Sequence, residues 1–174
     1  MLVRDATIDD AAAMGRVHVD AWRAAYVGQM PDAYLAEISE TSRAGMWRRV
    51  IQANAAARSA VIVVEDDAGD VVGFANVGPY RGEDLPDAGE LIAINLAPSA
   101  WGTGAGTAVH AAAVERLVTM GYTDLRLWVL PGNARARHFY EREGWRIEAR
   151  TRVETVQGVE VPEVRYRRDV PADG

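Results

Sequence analysis

The segment APSAWGTGAGTAVH, residues 97–110, places three glycines among small residues directly before a helical pattern. A glycine-rich backbone can adopt positive φ angles and can approach a ligand closely. The first amides of a helix lack intrahelical partners and, together with the helix dipole, they favour an anion. The segment therefore predicts an anion-binding loop at the N-terminus of a helix.

Three kinds of phosphate-binding loop could account for this segment. The nucleotide P-loop requires a lysine, and the chain contains no lysine. The dinucleotide-binding fingerprint G-x-G-x-x-G does not fit either, because Gly102, Gly104 and Gly106 are followed by Thr107 where that pattern needs its third glycine. The third kind, a strand followed by a short glycine turn and a helix, needs no side-chain charge. The sequence favours this third kind.

The composition limits the class of protein. A length of 174 residues predicts one domain, which we place at residues 1–170 with a short tail at 171–174. A net charge of −6 argues against nucleic acid as a partner, and the absence of cysteine excludes disulfides and thiolate chemistry. Without a membrane-length apolar run or a signal-peptide pattern, we expect a cytoplasmic protein with no membrane partner.

Hydrophobic periodicity predicts an α/β fold, with a mixed central sheet of about seven strands and about four flanking helices. The segment ELIAINLA, residues 90–97, is apolar on both faces except at Glu90 and Asn95. This pattern predicts a central strand that is covered on both sides.

Two segments near the C-terminus alternate between apolar and charged residues, as strands do. In residues 145–154 the alternation predicts an inward face, formed by Trp145, Ile147, Ala149, Thr151 and Val153. In residues 159–168 the alternation slips by one position at Pro162, which predicts a bulge or a sheet edge there.

Two motifs together resemble the GCN5-related N-acetyltransferase (GNAT) family. The segment ELIAINLAPSAWGTGAG, residues 90–106, is similar to the strand and the [Q/R]-x-x-G-x-[G/A] acyl-CoA loop of that family. One strand later, NARARHFYEREGW, residues 133–145, is similar to its N…A…FY…GF stretch. The resemblance extends over nearly the whole chain, because the order of strands and helices also matches. It implies the GNAT fold, acetyl-CoA as cosubstrate and no metal.

The resemblance also implies which residues bind the cosubstrate. Backbone groups of residues 94–96 would pair with the pantetheine arm and the thioester oxygen, and the loop amides would hold the pyrophosphate. Asn133 would contact coenzyme A, cap the next helix, or do both. Trp101 stands where the family usually has Gln or Arg, so one side-chain contact is lost. The predicted cofactor-binding residues are Ile94, Asn95, Leu96, Trp101, Gly102, Thr103, Gly104, Ala105, Gly106, Thr107 and Asn133.

Acetyl transfer to an amine needs a group that takes the amine proton and a donor for the departing thiolate. Tyr140 matches the tyrosine of the family's FY pair and is the predicted general acid; the alternative is a packed helix tyrosine. Glu90 matches a position where several members carry a glutamate base, which often acts through water; the alternative is a strand-end glutamate in solvent. Trp22, Tyr26 and Tyr34 are expected to line the acceptor pocket.

The sequence thus predicts direct transfer of an acetyl group to a primary amine of a small molecule or peptide. The alternative is a non-catalytic acyl-CoA-binding sensor or regulatory module. Family proteins often form dimers, so a homodimer is possible. His18, His110 and His138 lack metal-ligand spacing and are interpreted as structural or solvated side chains.

Overall fold

A seven-stranded mixed sheet forms the centre of the fold, in the strand order β1-β2-β3-β4-β5-β7-β6. The computed structural model describes residues 1–54, 58–156 and 158–170, so the predicted tail at 171–174 lies outside the described residues. The strands are β1 (Leu2–Asp5), β2 (Ala60–Glu65), β3 (Val71–Pro79), β4 (Gly89–Leu96), β5 (Asp124–Val129), β6 (Arg146–Val156) and β7 (Val159–Asp169).

Five α-helices accompany the sheet in the described residues, where the sequence predicted about four. They are α1 (Ala11–Ala25), α2 (Asp32–Glu37), α3 (Glu40–Asn54), α4 (Ala105–Thr119) and α5 (Ala134–Arg142). The shortest is α2, which follows Pro31, where the sequence predicts a short helix because proline suits the first turn. Short 3-10 helices at Ile8–Asp10 and Pro98–Ala100 precede α1 and the glycine loop.

The helices cover both faces of the sheet. On one face, Val109, Ala113 and Leu117 of α4, which recur at helical spacing, are fully buried against β2 to β5. On the other face, Met14 of α1 and Trp47 of α3 pack together with residues of β2 and β3. Each face of the sheet therefore has its own hydrophobic core.

Strand β4 occupies the central position that its apolar pattern predicted, between β3 and β5. It runs antiparallel to β3 and parallel to β5. The parallel pairing with β5 is limited to Gly89 with Leu125 and Glu90 with Arg126. Beyond Glu90 the two strands diverge and leave a V-shaped gap in the middle of the sheet.

Strand β4 also contains a β-bulge. Asn76 of β3 pairs with Ala93, whereas the next residue, Val77, pairs with Leu91, so Ile92 is the extra residue. A bulge bends its strand and increases the local twist. The bulge lies two residues past Glu90, where β4 begins to separate from β5, and it bends the strand at the mouth of the gap.

The predicted inward face of β6 is wrong for every residue of that strand. Ile147 and Val153 are 53% and 63% exposed, and Ala149 and Thr151 are exposed as well, whereas Trp145, which precedes the strand, is buried. Apart from Val156, the partly buried positions of β6 carry charged side chains, those of Glu148, Arg152 and Glu154. These side chains face inward because each is paired: Arg152 donates to Glu154 and to Glu163 of β7, and Glu148 accepts from Arg165.

The irregularity predicted at Pro162 is partly confirmed. Strand β7 lies inside the sheet, but Pro162 pairs with Val153 of β6, and the pairing of β7 with β5 begins only at Val164. Pro162 thus lies on an edge-like extension of β7. The bulge, in contrast, is in β6, between Ile147 and Thr151.

Close approach of α1 to α3 generates a stability prediction. A Cβ at Gly15 would lie 2.6 Å from the Glu40 carbonyl oxygen and 2.8 Å from the Ala44 amide nitrogen. We expect Gly15→Ala to lower the free energy of unfolding by about 1–3 kcal/mol, because the two helices must move apart. The matched control is Gly45→Ala in α3, where the nearest atom is on the Arg49 side chain at 3.8 Å. That substitution should raise stability by about 0.5–1 kcal/mol. Urea unfolding measures both, and equal effects would contradict the account.

Candidate active site

A cavity of about 880 Å³ occupies the gap between β4 and β5. Residues 91–96 of β4 form one wall, and Trp128, Val129 and Leu130 at the end of β5 form the facing wall. Helices α1, α3 and α5, the glycine loop and the β6–β7 hairpin contribute most of the remaining lining residues, and Met30, Asn76 and Arg81 also line the cavity. The divergence of two central strands thus creates a deep site in the middle of the protein.

The glycine loop lies at one end of this cavity and begins α4. Gly102 has φ +78° and Gly104 has φ +94°, and a Cβ at either position would meet no atom within 4 Å. Glycine is needed there for its conformation and not for space. The first intrahelical hydrogen bond runs from the Ala108 amide to the Gly104 carbonyl, at 3.0 Å. The loop is therefore a helix N-terminus with unpaired donors.

Not all six predicted loop amides are equally available. The Thr103 amide donates to the Ala100 carbonyl at 3.4 Å, and the Ala105 amide donates to the Thr103 hydroxyl at 3.4 Å. Within the described residues, the amides of Gly102, Gly104, Gly106 and Thr107 have no hydrogen-bond acceptor. These four donors lie at the start of α4, where the helix dipole also favours an anion.

The ring of Trp101 holds the Arg135 guanidinium beside the glycine loop. Its indole Nε1 donates to the Leu96 carbonyl at 3.2 Å, and the Arg135 guanidinium carbon lies 3.9 Å from the centre of its ring. Arg135 also lines the cavity. Arg135 of α5 thus places a guanidinium beside the glycine loop. Sequence reasoning did not identify Arg135, although it lies two residues after Asn133 in the matched motif.

All of the predicted cofactor-binding residues line the cavity except Thr103 and Ala105. Ile94, Asn95 and Leu96 lie beyond the last β4–β5 pair, so the edge of β4 that faces β5 is open to the cavity. Asn133 both lines the cavity and caps α5, because its Oδ1 accepts from the Ala136 amide at 3.1 Å. Both proposed roles of Asn133 are thus compatible with its position.

Tyr140 is buried in α5 and lines the same cavity. Burial raises the pKa of its phenol above the ordinary range, so the hydroxyl keeps its proton at neutral pH. Its ring packs edge-on against Phe139 and Trp145. Among the described residues, no group forms a hydrogen bond with the Tyr140 hydroxyl. The arrangement presents a protonated donor to the cavity.

Glu90 is fully buried, as its place in the apolar strand suggested, but it is bound to Arg81. Its Oε2 accepts from the Arg81 backbone amide at 2.9 Å and from Nε at 3.1 Å, and its Oε1 accepts from Nη2 at 2.8 Å. Arg81 lines the cavity, whereas Glu90 is not among the lining residues. The structure therefore places a positioned guanidinium at the surface of the cavity, with the Glu90 carboxylate behind it.

The β6–β7 triad, which we define as Arg152, Glu154 and Glu163, supplies carboxylates to the cavity. Arg152 Nε donates to Glu163 at 2.7 Å and Nη2 to Glu154 at 2.8 Å, and its guanidinium carbon lies 4.3 Å from the centre of a Trp128 ring. Two carboxylates share one guanidinium, so with both ionised the triad has a net charge of −1. Burial raises the pKa of Glu163, and the neighbouring Glu154 adds to this rise while Arg152 opposes it. The sequence did not reveal this triad, because the alternation predicted that Arg152 and Glu154 point outward from β6.

Two of the three residues predicted for an acceptor pocket line the cavity. Trp22 and Tyr26 of the α1 end do so, with ring centres 5.1 Å apart. Burial and the charge of Glu163 raise the pKa of Tyr26 to about 12, against the opposing effect of its hydrogen bond with Asn133. Tyr34 is not a lining residue, and its hydroxyl instead accepts from Arg43 Nη2 at 2.9 Å.

Within residues 1–54, 58–156 and 158–170, no three acidic or histidine side chains are grouped as metal ligands. The same residues include no helix of the length and apolar character that a membrane span requires.

Comparison with known proteins identifies several relatives. The model of the acetyltransferase (GNAT) family matches residues 19–145. The uncharacterized N-acetyltransferase YuaI of Bacillus subtilis is 34% identical over 131 residues, which cover 75% of this chain and 72% of YuaI.

Two solved structures share the fold. The ribosomal-protein-alanine N-acetyltransferase of Brucella melitensis superposes with a TM-score of 0.73 at 22% identity, covering 98% of this chain and 100% of that protein. The protein yncA of Salmonella typhimurium, solved with its cofactor acetyl-CoA, gives a TM-score of 0.72 at 17% identity, covering 99% and 95%.

Proposed function

Because the chain belongs to the GNAT family of N-acetyltransferases, we propose that it transfers the acetyl group of acetyl-CoA to a primary amine of a small molecule or peptide. The observation that supports this most strongly is a single cavity that joins the unpaired glycine-loop amides to the Tyr140 hydroxyl. The pyrophosphate of acetyl-CoA would bind the loop amides, and its thioester would lie near the Tyr140 hydroxyl.

In this proposal the pyrophosphate binds the amides of Gly102, Gly104, Gly106 and Thr107 at the start of α4. Arg135, held against Trp101, adds a positive charge beside them. The pantetheine arm then lies in the gap between β4 and β5 and pairs with the open edge of residues 94–96. This path leads the thioester from the loop towards Tyr140.

The chemical step is a direct transfer between the two bound substrates. The lone pair of the amine nitrogen attacks the thioester carbonyl carbon, and a carbon–nitrogen bond forms. The carbon–sulfur bond then breaks, and sulfur leaves with the electron pair. Tyr140 donates its hydroxyl proton to this sulfur and regains a proton from water. The sequence has no cysteine to form an acetyl-enzyme intermediate.

We propose Glu163 as the group that takes the proton from the amine. It lines the cavity, it interacts electrostatically with Tyr26, and its pKa is raised towards the range that suits a general base. Glu90, the base predicted from the sequence, is bound by three donors of Arg81. In this proposal the role of Glu90 is to hold Arg81 in place.

Substitution of Tyr140 tests whether the chain is an enzyme or a sensor. Tyr140→Phe should lower kcat by at least about a hundredfold, because the leaving sulfur loses its proton donor. The affinity for acetyl-CoA should stay within about twofold, since the ring packing is retained. Tyr122→Phe is the matched control, because Tyr122 is buried but does not line the cavity. Release of coenzyme A measures turnover, and a Tyr140→Phe variant as active as the control would exclude the acid role.

The pH dependence of kcat/KM distinguishes Glu163 from Glu90 as the base. A general base loses activity as the pH falls through its pKa, so the raised pKa of Glu163 predicts an acidic limb above the ordinary glutamate range. Glu163→Gln should remove this limb and lower kcat/KM by about a hundredfold to ten-thousandfold. Glu90→Gln should keep the limb, as should the exposed control Glu160→Gln. Loss of the limb in Glu90→Gln and its retention in Glu163→Gln would assign the base to Glu90.

A further inference from the structure

Arg43 of α3 is a buried cation that lines the cavity and has no counter-ion among the described residues. It is 5% exposed, and no described carboxylate lies within salt-bridge distance of its guanidinium. Its Nη2 donates to the Tyr34 hydroxyl at 2.9 Å, and its Nη1 lies 3.9 Å from the Met46 sulfur. The guanidinium carbon is 5.5 Å from the centre of the Trp22 ring. A buried charge without an opposite charge is costly. The guanidinium is therefore suited to an anion that enters the cavity.

His18 of α1 supplies a second donor to the same part of the cavity. Its Nδ1 accepts from the Trp47 indole at 3.1 Å, so the proton of the neutral ring is on Nε2. Nε2 is buried and has no hydrogen-bond partner in the described residues. Burial, together with the nearby charge of Arg43, lowers the pKa of His18 to about 3. The imidazole is thus neutral and presents an N–H at neutral pH.

We infer that Arg43 and His18 bind a carboxylate of the acceptor, so that the acceptor is an amino acid or another primary amine that also carries a carboxylate. This inference rests on the proposed function. A guanidinium with an adjacent N–H donor matches the two oxygens of a carboxylate. The other arginines that line the cavity have partners: Arg135 stacks on Trp101, and Arg81, Arg142 and Arg152 are paired with glutamates.

The aromatic wall of α1 connects this carboxylate site to the reaction centre. The Trp22 ring lies 4.7 Å from the His18 ring and 5.1 Å from the Tyr26 ring, measured between centres. Tyr26 and Tyr140 both line the cavity, and burial together with the charge of Tyr26 raises the pKa of Tyr140. In this proposal the acceptor carboxylate binds Arg43, and the rest of the acceptor packs against Trp22 and Tyr26. Its amino group then extends towards Tyr140.

Groups that accept hydrogen bonds also line the cavity, and they complement an amino group. The Oδ1 atom of Asn76 on β3 is buried and has no partner among the described residues. The β6–β7 triad adds its net negative charge. Donors for a carboxylate and acceptors for an ammonium group therefore coexist in one cavity. A diamine, by contrast, would bring a second positive charge towards Arg43.

Matched acceptors test the inference. Each L-amino acid is compared with its carboxamide, which has the same α-amine and side chain, in coenzyme A release assays. We expect the preferred amino acid to exceed its carboxamide in kcat/KM by at least about tenfold. Arg43→Gln should raise KM for the amino acid by about tenfold to a hundredfold and leave kcat similar, because the carboxylate contact is equal in ground and transition states. The carboxamide should be unaffected.

Two further variants separate recognition from folding. Arg49→Gln, an exposed position on the same helix, should behave as wild type. Tyr34→Phe removes the hydroxyl that orients Arg43 and should raise KM for the amino acid selectively, so the test does not depend on Arg43→Gln being stable.

The inference is overturned if carboxamides or diamines are acetylated as well as amino acids, if Arg43→Gln affects acid and carboxamide equally, or if no amino acid is acetylated. Acetyl-CoA binding, titrated in parallel, separates these results from failure of the proposed function. Loss of that binding in the wild-type chain would remove the proposed function itself.

Discussion

The separation of β4 from β5 after Glu90 is the structural feature on which the site depends. Two central strands of one sheet would normally share hydrogen bonds along their length, but here the ladder stops after two residue pairs. The bulge at Ile92 turns β4 away, and the cavity fills the space. Backbone groups that a ladder would occupy are left for a ligand. The gap also places the glycine loop and Tyr140 at one cavity, because the loop and α4 follow β4 while α5, which carries Tyr140, follows β5.

The polar groups of the cavity are arranged in a way that folding alone does not explain. Most buried polar atoms in a protein have a partner. The Arg43 guanidinium has no opposite charge, and His18 Nε2 and Asn76 Oδ1 have no partner in the described residues. Glu90, Glu154 and Glu163, in contrast, are all paired with arginines. Arg43, His18 and Asn76 line the cavity, and in our proposal their desolvation cost prepares the site for the acceptor.

The sequence was informative where the backbone itself is the functional element. The left-handed φ angles at Gly102 and Gly104 require glycine, so the loop was visible in the chain. The apolar run of β4 revealed its central place, and the FY pair placed Tyr140 in the cavity. These features depend on neighbours in sequence, which periodicity and motif spacing describe well.

The sequence was less informative where side chains from distant segments meet. Periodicity assigned Ile147 and Val153 to the core because it weighs apolarity and not ion pairing between strands. The partner of Trp101 at the loop is an arginine 34 positions later in the chain, which no local pattern connects to it. Arg43 has the appearance of an ordinary surface arginine on a helix until its burial is known. Tyr34 was expected to touch the acceptor, and its hydroxyl supports Arg43 instead.

The central claim is that the gap between β4 and β5 binds acetyl-CoA. Calorimetric titration of the full chain with acetyl-CoA, alongside NAD and ATP, tests it most directly. The account predicts saturable binding of acetyl-CoA with Kd in the micromolar range, and much weaker binding of the two nucleotides, which have a pyrophosphate but no pantetheine arm. Absence of acetyl-CoA binding, or equal affinity for all three compounds, would contradict it.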